Sequence, residues 1–77
     1  RRVAGECAIE CGVLRGTRVS IDLVNVNGNL IKTFVNQDVK SSGSNQESIS
    51  MEGLTPGIYL IRIKTELGST TVKVIKQ

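Results

Sequence analysis

The run GLTPGIYLIRI at residues 53–63 constrains this chain more than any other. A Pro-Gly turn feeds directly into a segment dense in Ile, Leu and Tyr. Proline presets the backbone for a turn and cannot sit inside a central strand, so the strand must begin after Pro56. Branched and aromatic side chains then favour extended backbone, because they pack well on a pleated surface. A short turn, Glu66-Leu67-Gly68-Ser69, leads to a final strand that closes on Lys73-Val74-Ile75-Lys76-Gln77. The pattern predicts the last hairpin of a small all-β domain, finished with positive charge.

With 77 residues there is room for one domain, over residues 1–77. A chain of this size buries only about 60% of its unfolded surface, which predicts modest stability. It has one Phe, one Tyr and no Trp, so Val, Ile and Leu must build the core. The net charge of +3 is scattered and lacks interleaved aromatics, which argues against nucleic acid as a partner. No apolar run approaches the length needed to span a bilayer, and no signal peptide is visible. The abrupt start at Arg1-Arg2 suggests a fragment of a longer protein.

Hydrophobic alternation organises the remainder. Residues 3–13 alternate with Val3, Cys7, Ile9, Cys11 and Val13 on one face, which predicts a half-buried first strand. Leu14-Arg15-Gly16 reads as a turn. Residues 17–24 form a second strand, with Val19, Ile21 and Leu23 facing inward. Asn25-Val26-Asn27-Gly28 follows. A type I turn that starts at Asn25, with Gly28 in the left-handed bulge position, pairs Leu23 with Ile31 and Val19 with Val35. That register also sets Asp22 against Lys32. The third strand spans about 29–36. Residues 38–48 are polar and read as an exposed, mobile loop. A short strand at 48–51, a strong one at 58–65 and a last one at 70–75 complete the count. The strong strand is apolar on both faces: Ile58 and Leu60 on one, Tyr59, Ile61 and Ile63 on the other. Either another part of the chain covers the second face, or it is a sticky patch for a partner.

Cys7 and Cys11 lie about 13 Å apart on one strand, too far for a disulfide between them. They read as small buried hydrophobes, or else as reactive thiols or an intermolecular bridge. Metal binding is the weakest reading, since the chain has no His and no second Cys pair. Without His the common Ser/His and Cys/His dyads are excluded, and the carboxylates are dispersed. These observations predict no enzyme, no metal and no cofactor.

The order of motifs carries a family resemblance. The hairpin Ile21-Asp22-Leu23-Val24-Asn25-Val26-Asn27-Gly28-Asn29-Leu30-Ile31 resembles the "iyDxxGxxv" hairpin of type IX secretion sorting domains. Leu54-Thr55-Pro56-Gly57-Ile58-Tyr59 is similar to their "LxxGxYxv" element. Gly68, followed by Lys73-Val74-Ile75-Lys76-Gln77, is similar to their terminal "G…tKkiik" segment. Each element alone is weak; together, in this order over residues 17–77, they are fairly specific. The family has Asp where Asn25 stands, and both cap a type I turn. Its proline-rich "YPNP" signature is not evident here.

The resemblance implies an immunoglobulin-like antiparallel β-sandwich of about six to seven strands. It implies a C-terminal address that directs a cargo protein through the type IX system of Bacteroidetes-type bacteria. The partners implied are the translocon, its shuttle components and a surface sortase that removes the domain and joins the cargo to lipopolysaccharide. The localisation implied is the periplasm in transit, then the outer membrane, cell surface or extracellular space. The motif positions carried over are Gly28, Pro56, Gly57, Tyr59, Gly68, Lys73 and Lys76. Tyr59 reads as a core aromatic with its hydroxyl at an edge, or as a recognition residue. Lys73 and Lys76 read as solvated charges, or as a docking handle. Two other readings stand beside this one: a surface adhesion or carbohydrate-binding module, and a structural subunit that dimerises through sheet edges or Cys7/Cys11.

Overall fold

A computed structural model describes the backbone of residues 2–13, 17–40 and 43–77, and the side chains of 2–6, 18–35 and 47–77. The expected turn at 14–16 lies outside the described residues, as do the side chains of Cys7 and Cys11. Seven strands are present among the described residues: β1 (Arg2–Val3), β2 (Glu6–Val13), β3 (Thr17–Asn25), β4 (Leu30–Lys40), β5 (Gly43–Ser50), β6 (Gly57–Thr65) and β7 (Gly68–Lys76). Five form a sheet in the order β1-β7-β6-β3-β4, and β2 pairs with β5 in a second sheet. The fold is an all-β, two-sheet arrangement consistent with a small sandwich. The Pro-Gly strand, β6, occupies the centre of the larger sheet and pairs with the last strand.

The inward rows are those that alternation selects. Val19, Ile21 and Leu23 of β3 are buried, as are Tyr59, Ile61 and Ile63 of β6 and Val74 of β7. Ile49 and Met51 of the second sheet's segment join the same cluster. Each fully buried aliphatic side chain contributes about 1.5–3 kcal/mol relative to its exposed state.

Four expectations are corrected. The first strand is not continuous from 3 to 13, because the chain bends at Ala4-Gly5. β1 therefore stays with the large sheet while β2 crosses to the other, which is how a sandwich turns a corner. Nor is the sheet wholly antiparallel, since β1 runs parallel to β7, with Arg2 beside Ile75 and Val3 beside Lys76. Most of the polar stretch at 38–48 is strand, not loop. β4 continues to Lys40 and β5 begins at Gly43, pairing with β2 from Glu6↔Ser50 to Val13↔Gly43. Polar composition did not prevent pairing there, because the partner strand supplies the backbone hydrogen bonds.

The fourth correction is the register of the first hairpin. Its turn is as expected: Gly28 N–H donates to Asn25 O at 3.0 Å, and Gly28 has φ of 84°. The Asn25 side chain caps it, with Oδ1 accepting from the N–H groups of Asn27 and Asn29, each at 3.0 Å. Beyond the turn, however, Leu23 pairs with Lys32, Ile21 with Val35 and Val19 with Asp38. Ile31 and Phe34 are skipped as bulge residues, and a third irregularity follows before Asp38. The bulge at Phe34 lets two consecutive apolar residues serve the core: Val35 is buried and Phe34 packs against the cluster. Asp22 consequently meets Thr33, whose Oγ1 donates to Oδ1 at 2.8 Å, and Arg62 at 3.8 Å, not Lys32. Lys32 instead lies over the Phe34 ring, 5.1 Å from its centroid.

Candidate recognition surface

The motif residues gather around the two hairpins of the large sheet. In Leu54-Thr55-Pro56-Gly57-Ile58-Tyr59 the glycine enters β6 with φ of 154°, a conformation side chains rarely adopt. The Tyr59 ring is buried, and its hydroxyl donates to Thr55 O at 2.7 Å and lies 3.2 Å from Thr55 Oγ1. This ring-to-backbone tie, four residues back, has the geometry of the tyrosine corner of immunoglobulin-type sandwiches. Pro56 is exposed at the turn. Tyr59 thus sits in the core with its hydroxyl engaged.

The face of the large sheet turned away from the core carries the opposite rows. Register places Val24, Asp22 and Ser20 of β3 beside Leu60, Arg62 and Lys64 of β6. The latter in turn stand beside Lys73, Thr71 and Ser69 of β7, and Ile58 stands beside Ile75. One end is apolar: Ile58 and Leu30 are 44% and 59% exposed, and Val26 in the nearby turn is 62% exposed. The other end carries Arg62 and Lys64 with the carboxylate of Asp22, while Lys73 lies beside Leu60, next to the apolar end. The apolar second face anticipated for β6 is therefore open to solvent at Ile58, while Leu60 is half-buried.

Lys73 is exposed, and Lys76 is half-buried with Nζ donating to Gln77 O at 3.2 Å. Gly68 opens β7 with φ of 145° in the Thr65–Gly68 turn, where Thr65 Oγ1 accepts from Leu67 N–H at 3.1 Å. Beside that turn a shallow hollow is lined by Arg18, Ser20, Lys64, Thr65 and Glu66. It mixes two cations with one carboxylate and offers no nucleophile–base pair. Among the described residues no group of three or more His, Cys, Asp or Glu is placed to hold a metal ion. No helix among them is long and apolar enough to cross a membrane.

These hairpins, in this order, can be compared directly with known families. The model of the secretion system C-terminal sorting domain matches residues 3–77. The chain belongs to that family. No curated protein and no solved structure gives a significant match. Membership makes this domain a C-terminal sorting signal of the type IX secretion system, from a family of signals and not of enzymes. It implies interaction with that system and export to the outer membrane or cell surface. The match begins at Val3 and so takes in the first two strands, which the three sequence motifs do not reach. The alternation over residues 3–13 was the available signal for them.

Proposed function

We propose that this sorting domain is a folded address, a single unit over residues 1–77 carried by a longer exported protein. It is taken through the periplasm as a closed immunoglobulin-like sandwich and presented to the type IX translocon and its shuttle components. A surface sortase then removes it and joins the cargo to lipopolysaccharide. The observation that carries this reading is the family match over residues 3–77. The way the motifs are used supports it. Gly28, Gly57, Tyr59 and Gly68 shape turns and core, which leaves Lys73 and the cationic rows as the groups offered to a partner. The adhesion and carbohydrate-binding reading gains no support, since Tyr59 is buried and Phe34 packs against the core.

The test is a secreted fluorescent reporter fused to this chain in a bacterium that has the type IX system. Wild-type fusion is expected at the cell surface. Lys73→Glu combined with Lys76→Glu is expected to keep the fold, since Lys73 is exposed and the half-buried Lys76 donates to the Gln77 carbonyl at the chain end, and circular dichroism of the purified variant checks this. It is also expected to leave most of the reporter in the periplasm. Normal surface delivery of the double variant would remove the basic end from the address.

A further inference from the structure

Strand register gathers exposed apolar side chains at one end of the large sheet's outer face. Leu30, Val24, Leu60 and Lys73 stand in one row across four strands. Neighbouring strands lie about 4.8 Å apart, so this row is about 14 Å long. In the next row Ile58 stands beside Ile75, and Ile75 beside Arg2. Val26 follows β3 past the Asn25↔Tyr59 pair, which brings it to the same end. Val26, Leu30 and Ile58 are exposed, and so are the cations Arg2 and Lys73 that flank them on the β1–β7 side. Two carboxylates on this side are held elsewhere. Asp22 faces Arg62 at 3.8 Å and accepts from Thr33, and Glu52 lies against Gly5 at the corner where the chain leaves this sheet. The other exposed leucine, Leu67 at 83%, is in the opposite turn. That turn starts at Thr65, about 23 Å along β6 from Ile58.

We propose that this end of the sheet, through Val26, Leu30 and Ile58 with Lys73 and Arg2, docks on an anionic lipid surface. The chemistry selects the occupant. Aliphatic side chains that protrude together enter the boundary between headgroups and acyl chains, while cations beside them meet the lipid phosphates. Protein interfaces are anchored by buried aromatic side chains. Here the one Tyr is buried and the one Phe packs against the core, so the patch has no such anchor to offer. A second copy would set Lys73 and Arg2 against their like, in a chain of net charge +3. An anionic bilayer satisfies both halves of the patch, apolar and cationic. The domain lies on such a surface and does not cross it: three aliphatic side chains give a shallow, reversible hold, to which each nearby cation adds. The inference goes beyond the sorting function and does not rest on it.

Flotation of the purified reporter fusion with lipid vesicles tests it, with the reporter alone as the blank. The fusion is expected to bind vesicles of about three parts phosphatidylcholine to one of phosphatidylglycerol at least tenfold more tightly than vesicles of phosphatidylcholine alone. Val26→Ser combined with Leu30→Ser should lower that binding at least tenfold, while Leu67→Ser, at the far turn, stays within twofold. Lys73→Glu should reduce the preference for anionic vesicles. A measurement on the wild-type chain decides the matter even if the double serine variant misfolds. Lipids with a nitroxide at the headgroup should broaden the methyl signals of Val26, Leu30 and Ile58 and leave those of Leu67 sharp. Absence of binding to anionic vesicles overturns the proposal. So does binding that survives the double serine variant and vanishes with salt, which is charge alone, or an equal loss from Leu67→Ser, which is general stickiness. Self-association without lipid that the double variant abolishes gives the face to a second copy instead. Translocon binding that the double variant abolishes, in a fusion that ignores vesicles, gives it to a protein. Vesicle binding is read without the secretion system, so its failure leaves the sorting function standing. A fusion that binds vesicles but never reaches the cell surface sinks the sorting function alone.

Discussion

Tyr59 shows how a motif residue can be indispensable without facing a partner. Its ring joins Ile61 and Val74 in the core, and its hydroxyl ties the strand entrance to Thr55. Removing that hydroxyl leaves the Thr55 carbonyl without its donor while the ring still fills its site. Tyr59→Phe is expected to destabilise the domain by about 1–2 kcal/mol, measured by chemical denaturation. Surface delivery of a Tyr59→Phe fusion should fall only as far as its folded fraction falls. A loss of export with stability unchanged would make Tyr59 a recognition residue instead. At this scale the sequence was legible where a residue's job is local: Asn25 and Gly28 in the turn, Gly57 at the strand entrance. It was not legible for Asp22, whose partner depends on how two strands align.

At the scale of elements, alternation located every strand of the larger hairpins, because one face of each must be buried. It did not reveal β4's three breaks. A bulge adds one residue without altering composition, and the sequence around Phe34 fits either register until the core is assembled. The observed register makes a specific claim. A double-mutant cycle between Asp22 and Thr33 should give a coupling of about 0.5–1.5 kcal/mol, whereas one between Asp22 and Lys32 should give about zero. A substantial Asp22–Lys32 coupling would restore the simpler register. The same blindness to tertiary pairing explains β5. Its polar residues look like a loop until β2 lies alongside and satisfies their backbone.

For the whole molecule, β7 is at once a wall of the core, through Val74, and the strand that carries Lys73 and Lys76. Val74 is fully buried, and β7 covers the length of the central strand. Removing residues 72–77 is therefore expected to unfold the domain, seen as loss of its β-type circular dichroism. That truncation should strand the cargo in the periplasm for want of a fold, which is why charge reversal at Lys73 and Lys76 is the cleaner probe. A truncated chain with a cooperative unfolding transition would contradict this.

By itself the sequence determined the all-β class, the inward rows, the turn at Asn25–Gly28 and, through the order of three motifs over residues 17–77, the family. The first three follow from local backbone preference and from side-chain period, which a short window of sequence contains. Only the tertiary structure decided that β1 and β2 part company at Ala4-Gly5, that β4 is bulged, and that β7 pairs with β6 without a break. Those features depend on which strands become neighbours and in what register. That choice is made by the assembled core and by backbone hydrogen bonds, which join residues far apart in the chain and so lie outside any short window of sequence.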